Sequence, residues 1–284
     1  HTHLTKSKHI GKNNMIKIDQ ELCTQDEHCV AECPAGIIKM IDKTPAVPVE
    51  MEGFCIDCGH CVAVCPGAAL TLKTLQPEAC LPVDKSLGLS EEHVAHFLRS
   101  RRSIRNFKNK PVEKALLQKV LDIARFAPTA SNKQPVHWLF LEQEKEVKKV
   151  VSMVIDWIKY IIQNEPEMAR EKNFDKVVAA YEAGGDPICR GAKHLLFCYA
   201  NKTLISAGTD CAIAMAYLEL ALPSFGLGDC WAGYVNYAAR LWPPLVEYLN
   251  LPPEMEVQAA AMIGYPKYRY HRMPTRQPAS VEWR

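Results

Sequence analysis

From Ser90 onward the apolar positions of this chain recur first at helical and then at strand spacing. Ser90 opens a predicted helix with acidic residues in its first turn and Val94, Phe97 and Leu98 on one face. A second helix follows Pro111, with Leu116, Leu117, Val120, Leu121 and Ala124 at helical spacing until Pro128 stops it. Strand-length apolar runs fall at 138–141, at 195–200 and, with alternation, at 257–263. Between the last two, residues 209–222 are Ala-rich and apolar on nearly every side, with Met215 and Leu218, which predicts a helix buried at the centre of a domain or between two copies. Helices and strands thus alternate as in an α+β fold, a central sheet flanked by helices. Residues 74–89 hold Pro77, Pro82 and Gly88 with little periodicity and read as a connector. The expected organisation is a leader at 1–14, a small domain at 15–73, a linker at 74–89 and a larger domain at 90–284.

Composition changes this picture little. Hydrophobic residues make up 48% and charged residues 23%, with no low-complexity tract, as in a globular protein. The longest apolar stretch, 211–222, is interrupted by Glu219 and is well short of the roughly eighteen residues a membrane span needs, so no membrane crossing is expected. Charge is more informative in its distribution. Residues 15–73 hold four lysines against nine acids, a balance of −5, whereas residues 90–284 carry +5. An acidic front argues against nucleic-acid binding there and permits electrostatic docking of the two parts on each other or on partners. Residues 1–14 are polar and basic without an apolar core, so they read as a tag-like or disordered leader and not an export signal, and the expected location is cytoplasmic. The basic segment 99–110 is interrupted by Ile104 and Phe107 and lacks a stacking series of aromatics, so no nucleic acid is expected there either.

Twelve cysteines could indicate a disulfide framework, but seven of them lie between Cys23 and Cys65. The run Cys55-x2-Cys58-x2-Cys61-x3-Cys65-Pro66 has the iron–sulfur spacing in which three thiolates bind one cube and the fourth reaches another. Zinc favours paired knuckles separated by a longer loop and fits this run poorly. Sliding the chain by 32 residues lays 23–34 on 55–66 without a gap and matches seven of twelve positions, among them Cys23/Cys55, His28/His60, Cys29/Cys61 and Cys33/Cys65. Asp26 falls opposite Cys58, so one thiolate of the first motif has become a carboxylate. Residues 15–73 resemble the two-cluster bacterial ferredoxins, with Asp26 as the one departure. The crossed ligation of such motifs gives one [4Fe-4S] cluster to Cys33, Cys55, Cys58 and Cys61, and a second cluster to Cys23, Cys29, Cys65 and Asp26. Because an oxygen ligand on iron is more labile than a thiolate, the second site is expected as [4Fe-4S] with [3Fe-4S] as the alternative. The other cysteines, Cys80, Cys189, Cys198, Cys211 and Cys230, show no ligand spacing and read as buried apolar thiols.

The larger domain carries four further motifs: Arg101-Arg102-Ser103-Ile104-Arg105-Asn106-Phe107, the polar loop 127–135, Gly226-Leu227-Gly228-Asp229-Cys230-Trp231-Ala232-Gly233, and Ile263-Gly264-Tyr265-Pro266. In this order they resemble the FMN-dependent nitroreductase family over residues 90–284. The resemblance implies that Arg101, Arg102 and Ser103 hold the FMN phosphate, since guanidinium groups donate paired hydrogen bonds to phosphate oxygens. Arg105 would lie by the pyrimidine edge, where a cation stabilises the charge that gathers on reduction. Pro128, Thr129, Ala130 and Asn132 would come from a neighbouring subunit, with Gln134 assisting, so that FMN sits at the interface of an intertwined homodimer. Trp231, Ala232 and Gly233 would pass their backbone close to the flavin ring, and Arg272 and Arg276 are further phosphate candidates. Trp157, Tyr160, Phe174 and Tyr181 are substrate-pocket candidates, each also explained by ordinary core packing.

Together these resemblances imply an FMN-dependent oxidoreductase that reduces a small electrophile, a nitroaromatic, a quinone or similar. Electrons would come from a low-potential donor, a reduced ferredoxin-like protein, through the iron–sulfur clusters. No G-x-G-x-x-G follows a strand, so no separate nicotinamide domain is expected. Two other readings stay open: NAD(P)H reduces the flavin and electrons leave through the clusters, or the chain is a non-enzymatic electron carrier.

Overall fold

A computed structural model describes residues 15–284, so the expected leader at 1–14 lies outside the described residues. The chain forms two units: one runs up to Gly88 and takes in Ser131–Lys133, and the other comprises Leu89–Ala130 and Gln134–Arg284.

In the first unit the internal repeat is visible in the backbone. Strand β1 (Ile16–Ile18) pairs antiparallel with the strand that closes the unit, and helix α1 (His28–Glu32) follows the first motif. Strands β2 (Lys39–Ile41) and β3 (Thr44–Ala46) form a hairpin whose turn residues Asp42 and Lys43 both have positive φ, as a two-residue primed turn requires. Helix α2 (His60–Val64) and strand β4 (Leu70–Leu72), the partner of β1, complete it. The two helices begin 32 residues apart, and left-handed residues recur at the same interval: Gln25 and Asp57, Glu27 and Gly59, Gly36 and Ala68. Each short helix therefore begins from one left-handed residue, and Gly59 needs to be glycine for a second reason, since a Cβ there would lie 2.8 Å from Leu75. A small core of Ile16, Ile37, Ile38, Val62, Leu70 and Leu72 lies beside Cys29 and Cys61. The segment after it contains only two 3-10 turns, 77–79 and 85–87.

The second unit is built on one antiparallel sheet in the order β5-β6-β8-β7. It opens with α3 (Glu91–Ser100), capped by the Ser90 hydroxyl, which accepts from His93 N at 3.2 Å, and α4 (Lys114–Ala124). After β5 (His137–Leu141) come α5 (Glu144–Asn164), α6 (Pro166–Glu171) and α7 (Phe174–Glu182), then β6 (His194–Asn201) and α8 (Ala207–Ala221). Strand β7 (Gly228–Trp231), α9 (Gly233–Leu241), α10 (Pro243–Leu249) and β8 (Met255–Gly264) follow. The sheet is buried on both faces, which explains why β6 reads as an unbroken apolar run. Leu195 and Phe197 join α5 and α9 on one face, whereas Leu196, Cys198 and Ala200 meet α4 and α8 on the other. A bulge between Cys198 and Tyr199, opposite Gln258, shifts the alternation of β8, so that Val257 and Ala260 share a face although they are three residues apart.

Three expected strands and three expected helices are present, with ends shifted by a residue or two. The long helix α5 was not anticipated, although Gln143 and Glu146 form a capping box at its start and Val147, Val150, Val151, Val154, Ile158 and Ile161 are buried along one face. Among the described residues no helix is long and apolar enough to cross a membrane. Cys189, Cys198, Cys211 and Cys230 are buried thiols as expected, while Cys80 is only partly buried.

Candidate functional site

In the first unit, side chains from both motif halves come together in two groups of candidate ligands. Cys33 from the first motif and Cys55, Cys58 and Cys61 from the second line one small cavity, floored by Ile16, Ile37 and Leu72. Burial pushes the Cys61 thiol up to about 11, and the neighbouring Cys58, Cys33 and Cys55 push in the same direction. Burial likewise raises Cys29, with further contributions from Cys65, Cys23 and Asp26. Cys33, Cys55, Cys58 and Cys61 thus lie near one another, and Cys23, Cys65 and Asp26 lie near Cys29. Crowded thiols that resist ionisation need a strongly positive group to become thiolates, so both donor sets fit iron–sulfur clusters. In the second set Ala69 N donates to Cys65 Sγ at 3.3 Å. Asp26 accepts from Thr24 Oγ1 at 2.6 Å and from His28 N at 3.0 Å, and these bonds hold its carboxyl below the usual range. It stays an anion, with lone pairs left to ligate. Among the described residues, no three His, Cys, Asp or Glu side chains close on a single metal ion.

In the second unit, three of the four nitroreductase-like motifs meet. The segment after α3 runs along the edge of the sheet: Ile104 N donates to Asp229 O at 2.7 Å, Lys108 N to Tyr265 O at 2.8 Å, and Lys267 N to Asn106 O at 2.9 Å. Two glycines make room for it. A Cβ on Gly228 would overlap Ile104, and one on Gly264 would lie 2.9 Å from the Phe107 ring. The glycines of the third and fourth motifs are therefore the sockets into which the first motif fits.

This clasp leaves a cavity of about 460 Å³ lined by Arg101, Arg102, Lys108 and Arg269, with the carboxyls of Glu219 and Asp229 at its wall. Arg101 Nη1 is buried with no hydrogen-bond partner among the described residues. A buried, unpaired guanidinium nitrogen beside four other cations, Lys267 included, fits a phosphate. Arg102 is differently engaged: its Nη1 donates to the carbonyls of Arg99 and Arg101 at 2.9 and 2.6 Å. Ser103 is half-buried beside them. Arg272 and Arg276 line neither this cavity nor the next; they are exposed on the segment beyond Pro266, where no helix or strand is formed. Tyr268 and Arg269 stand at the cavity instead.

Four residues on from Arg101, Arg105 lines a second cavity of about 900 Å³ together with Arg190 and the backbone turn Trp231-Ala232-Gly233. Its wall is aromatic. Trp157 and Phe174 lie 6.2 Å apart, and Phe174 meets Tyr234 edge-on at 5.8 Å. Trp157 and Phe174 are thus both core and cavity wall, whereas Tyr160 packs on Trp242 and neither it nor Tyr181 reaches the cavity. Ala232 N donates to Ala260 O at 2.8 Å. The Gly233 amide, in the first turn of α9, has no intrahelical partner. Arg190 was not a predicted site residue. Asp186 builds the loop that carries it, accepting from Ile188, Cys189 and Gly191 N at 3.1, 2.8 and 2.8 Å, and Arg190 itself has a φ of 56°. Gly184-Gly185, Asp186-Pro187 and Gly191 are the turn-forming residue types of this segment.

The second motif, the loop 127–135, lies elsewhere. Ala130 N donates to Asp210 of α8 at 3.0 Å, Thr129 Oγ1 accepts from Gln134 N at 3.0 Å, and Asn132 belongs to the first unit, where its amide donates to Ile56 and Asp57 carbonyls at 3.3 and 2.9 Å. None of Pro128, Thr129, Ala130, Asn132 and Gln134 lines the two cavities that hold the arginines.

Comparison with known proteins agrees with this geometry. A nitroreductase family model matches residues 98–265, and a 4Fe-4S dicluster domain model matches residues 15–66. An iodotyrosine deiodinase of Thermotoga neapolitana is 27% identical over 174 residues, covering 59% of this chain and 86% of that protein. An FMN reductase [NAD(P)H] of Bacillus subtilis is 27% identical over 180 residues, covering 62% and 67%. A crystal structure of a nitroreductase with bound FMN from Bacteroides fragilis shares the fold of the larger unit, with a TM-score of 0.57 at 18% identity over 68% of this chain and 98% of that one. With the model match spanning more than half its length, the chain belongs to the nitroreductase family and carries a 4Fe-4S dicluster domain ahead of that fold.

Proposed function

We propose that the protein is an FMN-dependent reductase of small electrophilic, aromatic molecules, nitroaromatics, quinones or similar, supplied with electrons through two iron–sulfur clusters from a low-potential ferredoxin-like donor. The observation that carries this reading is that the first motif lines two cavities: the one at Arg101 and Arg102 is rich in arginine and lysine, and the one at Arg105 has aromatic walls and a backbone turn. Arg101, Arg102 and Ser103 hold the phosphate, and Arg105 presents its cation to the pyrimidine edge. Gly233, which has no side chain, brings its N–H close to the ring. Trp157, Phe174 and Tyr234 exclude water and give a flat substrate its apolar contact. FMN exchanges electrons singly or in pairs, the property that suits it to stand between one-electron clusters and two-electron acceptors.

Cys33, Cys55, Cys58 and Cys61 hold one [4Fe-4S] cluster, and Cys23, Cys29, Cys65 and Asp26 hold the other, also in the four-iron form. The loop 128–134 completes the flavin site of a second copy in a homodimer. Support for this comes from α8, which is apolar on every side yet buried only along the face of Cys211, Met215 and Leu218, leaving Tyr217 exposed opposite. The name of the B. subtilis relative favours a second reading, in which NAD(P)H reduces the flavin and electrons leave through the clusters. Anaerobic rapid mixing separates the two. Fast flavin bleaching by reduced ferredoxin and slow bleaching by NAD(P)H support the first, and the reverse order overturns it.

A further inference from the structure

The cavity that holds the Arg101 guanidinium also contains a feature that phosphate binding does not require. Asp229 is 2% exposed, lies on β7 two residues before Trp231, and its Oδ2 has no hydrogen-bond donor among the described residues. Its carboxyl meets that of Glu219 from α8, while Arg101 provides the nearby positive charge. Two buried atoms of opposite charge type, Arg101 Nη1 and Asp229 Oδ2, thus line one cavity without being bonded to each other. An ionised Asp229 would be expected to close that gap, because a buried charge without a partner is costly.

We propose that Asp229, together with Glu219, is a positioning residue that keeps the Arg101 guanidinium open to a phosphate, so that the carboxyl pair and the phosphate compete for one cation. The proposal rests on the reading of this cavity as the FMN phosphate site. Burial, then the neighbouring Glu219, pushes Asp229 up to about 8, against the opposing pull of Arg101. Near neutral pH the pair shares a proton, Asp229 is uncharged and Arg101 is free to bind phosphate. Above that value Asp229 ionises, draws Arg101 to itself and repels the phosphate. The sign follows: affinity is complete below about pH 8 and declines as pH rises through it. The strand paired with β7 contributes Met262, Ile263 and Gly264 to the neighbourhood, none of them charged. The other charged or titratable groups around the cavity are Arg102, Lys108, Lys267 and Arg269, with Tyr268 and Tyr270.

The test is FMN dissociation from the full-length holoprotein, read as flavin fluorescence on serial dilution between pH 7 and pH 9. The dissociation constant should rise roughly tenfold across that range, the limit for one linked proton. Riboflavin, which lacks the phosphate, should show no such trend. Asp229→Asn keeps the shape of the neutral acid and should bind FMN equally at both ends of the range, and Glu219→Gln should flatten the profile in the same way, whereas Asp229→Ala should weaken binding throughout. A wild-type profile without slope, or an Asp229→Asn profile that follows the wild type, overturns the inference. Arg101→Ala separates the two levels. If it leaves the preference for FMN over riboflavin intact, the phosphate reading of the cavity is wrong. If it abolishes that preference while Asp229→Asn still shows the pH trend, the phosphate reading stands and only the role of Asp229 fails.

Discussion

Replacing Gly228 with alanine tests whether the clasp between the first and third motifs holds the flavin site. The new Cβ would overlap Ile104 Cγ1 and lie 3.4 Å from both Ile104 Cβ and Pro266 Cγ. Ile104 is buried, and its N–H is fixed to Asp229 O at 2.7 Å, so it has little room to turn away. The segment must lift instead. Overpacking by one methyl costs about 1–3 kcal/mol, and losing the Ile104 hydrogen bond adds about 1 kcal/mol, for a total of about 2–4 kcal/mol. If about 2 kcal/mol of that is needed to redock the segment when FMN binds, affinity falls roughly thirtyfold, since about 1.4 kcal/mol corresponds to a factor of ten. Denaturant unfolding of the flavin-stripped protein and flavin fluorescence of the holoprotein measure the two effects. Gly233→Ala is the control, because a Cβ there meets nothing within 4 Å and should leave stability within about 0.5 kcal/mol. A Gly228→Ala variant that loses stability but binds FMN as tightly as the wild type would refute the clasp.

Other substitutions probe separate parts of the account. Arg101→Ala should release FMN more completely than Arg102→Ala, because the Arg102 Nη1 is engaged by two backbone carbonyls while the Arg101 Nη1 is not, and flavin content after gel filtration ranks them. Asp26→Cys restores the fourth thiolate of the first motif and should keep the second cluster intact in air, by iron and sulfide analysis. A quantitative [3Fe-4S] EPR signal from wild-type protein kept strictly anaerobic would contradict the four-iron assignment. His194 is buried and neutral, its Nε2 accepting from Val112 N at 2.8 Å, and burial lowers its pKa. Stability of the larger unit should therefore be complete above the ordinary histidine value of about 6.5 and decline below it, by at most about 1.4 kcal/mol per pH unit. Unfolding midpoints unchanged from pH 7 to pH 5 would show that this histidine is not linked to folding.

What could be read from the sequence follows from how local each signal is. The cysteine spacing and its repeat are local, and a 4Fe-4S dicluster domain model matches the segment that carries them. The strands were legible because a sheet covered on both faces leaves the interior of β6, Leu195 to Cys198, wholly apolar. Helix α5 was not anticipated, although its buried positions recur at helical spacing. Arg190, Asp229 and Glu219 were not legible. Asp229 and Glu219 come from a strand and a helix, and only the fold of the chain between them makes their carboxyls neighbours. The Arg190 loop depends on three backbone amides, two to five residues on, collected by Asp186, a turn that residue types alone announce weakly. The loop 128–134 was expected to serve another subunit, and within one chain it lines neither arginine cavity.

The central claim is that the cysteine-bound clusters and the flavin exchange electrons. It is tested most directly by anaerobic rapid mixing of reduced ferredoxin with the wild type and with Cys58→Ser, following flavin absorbance. Fast bleaching in the wild type, slowed by an order of magnitude or more in the variant at equal flavin content, is the predicted result. Equal rates in the two proteins would show that the flavin is reduced without the clusters.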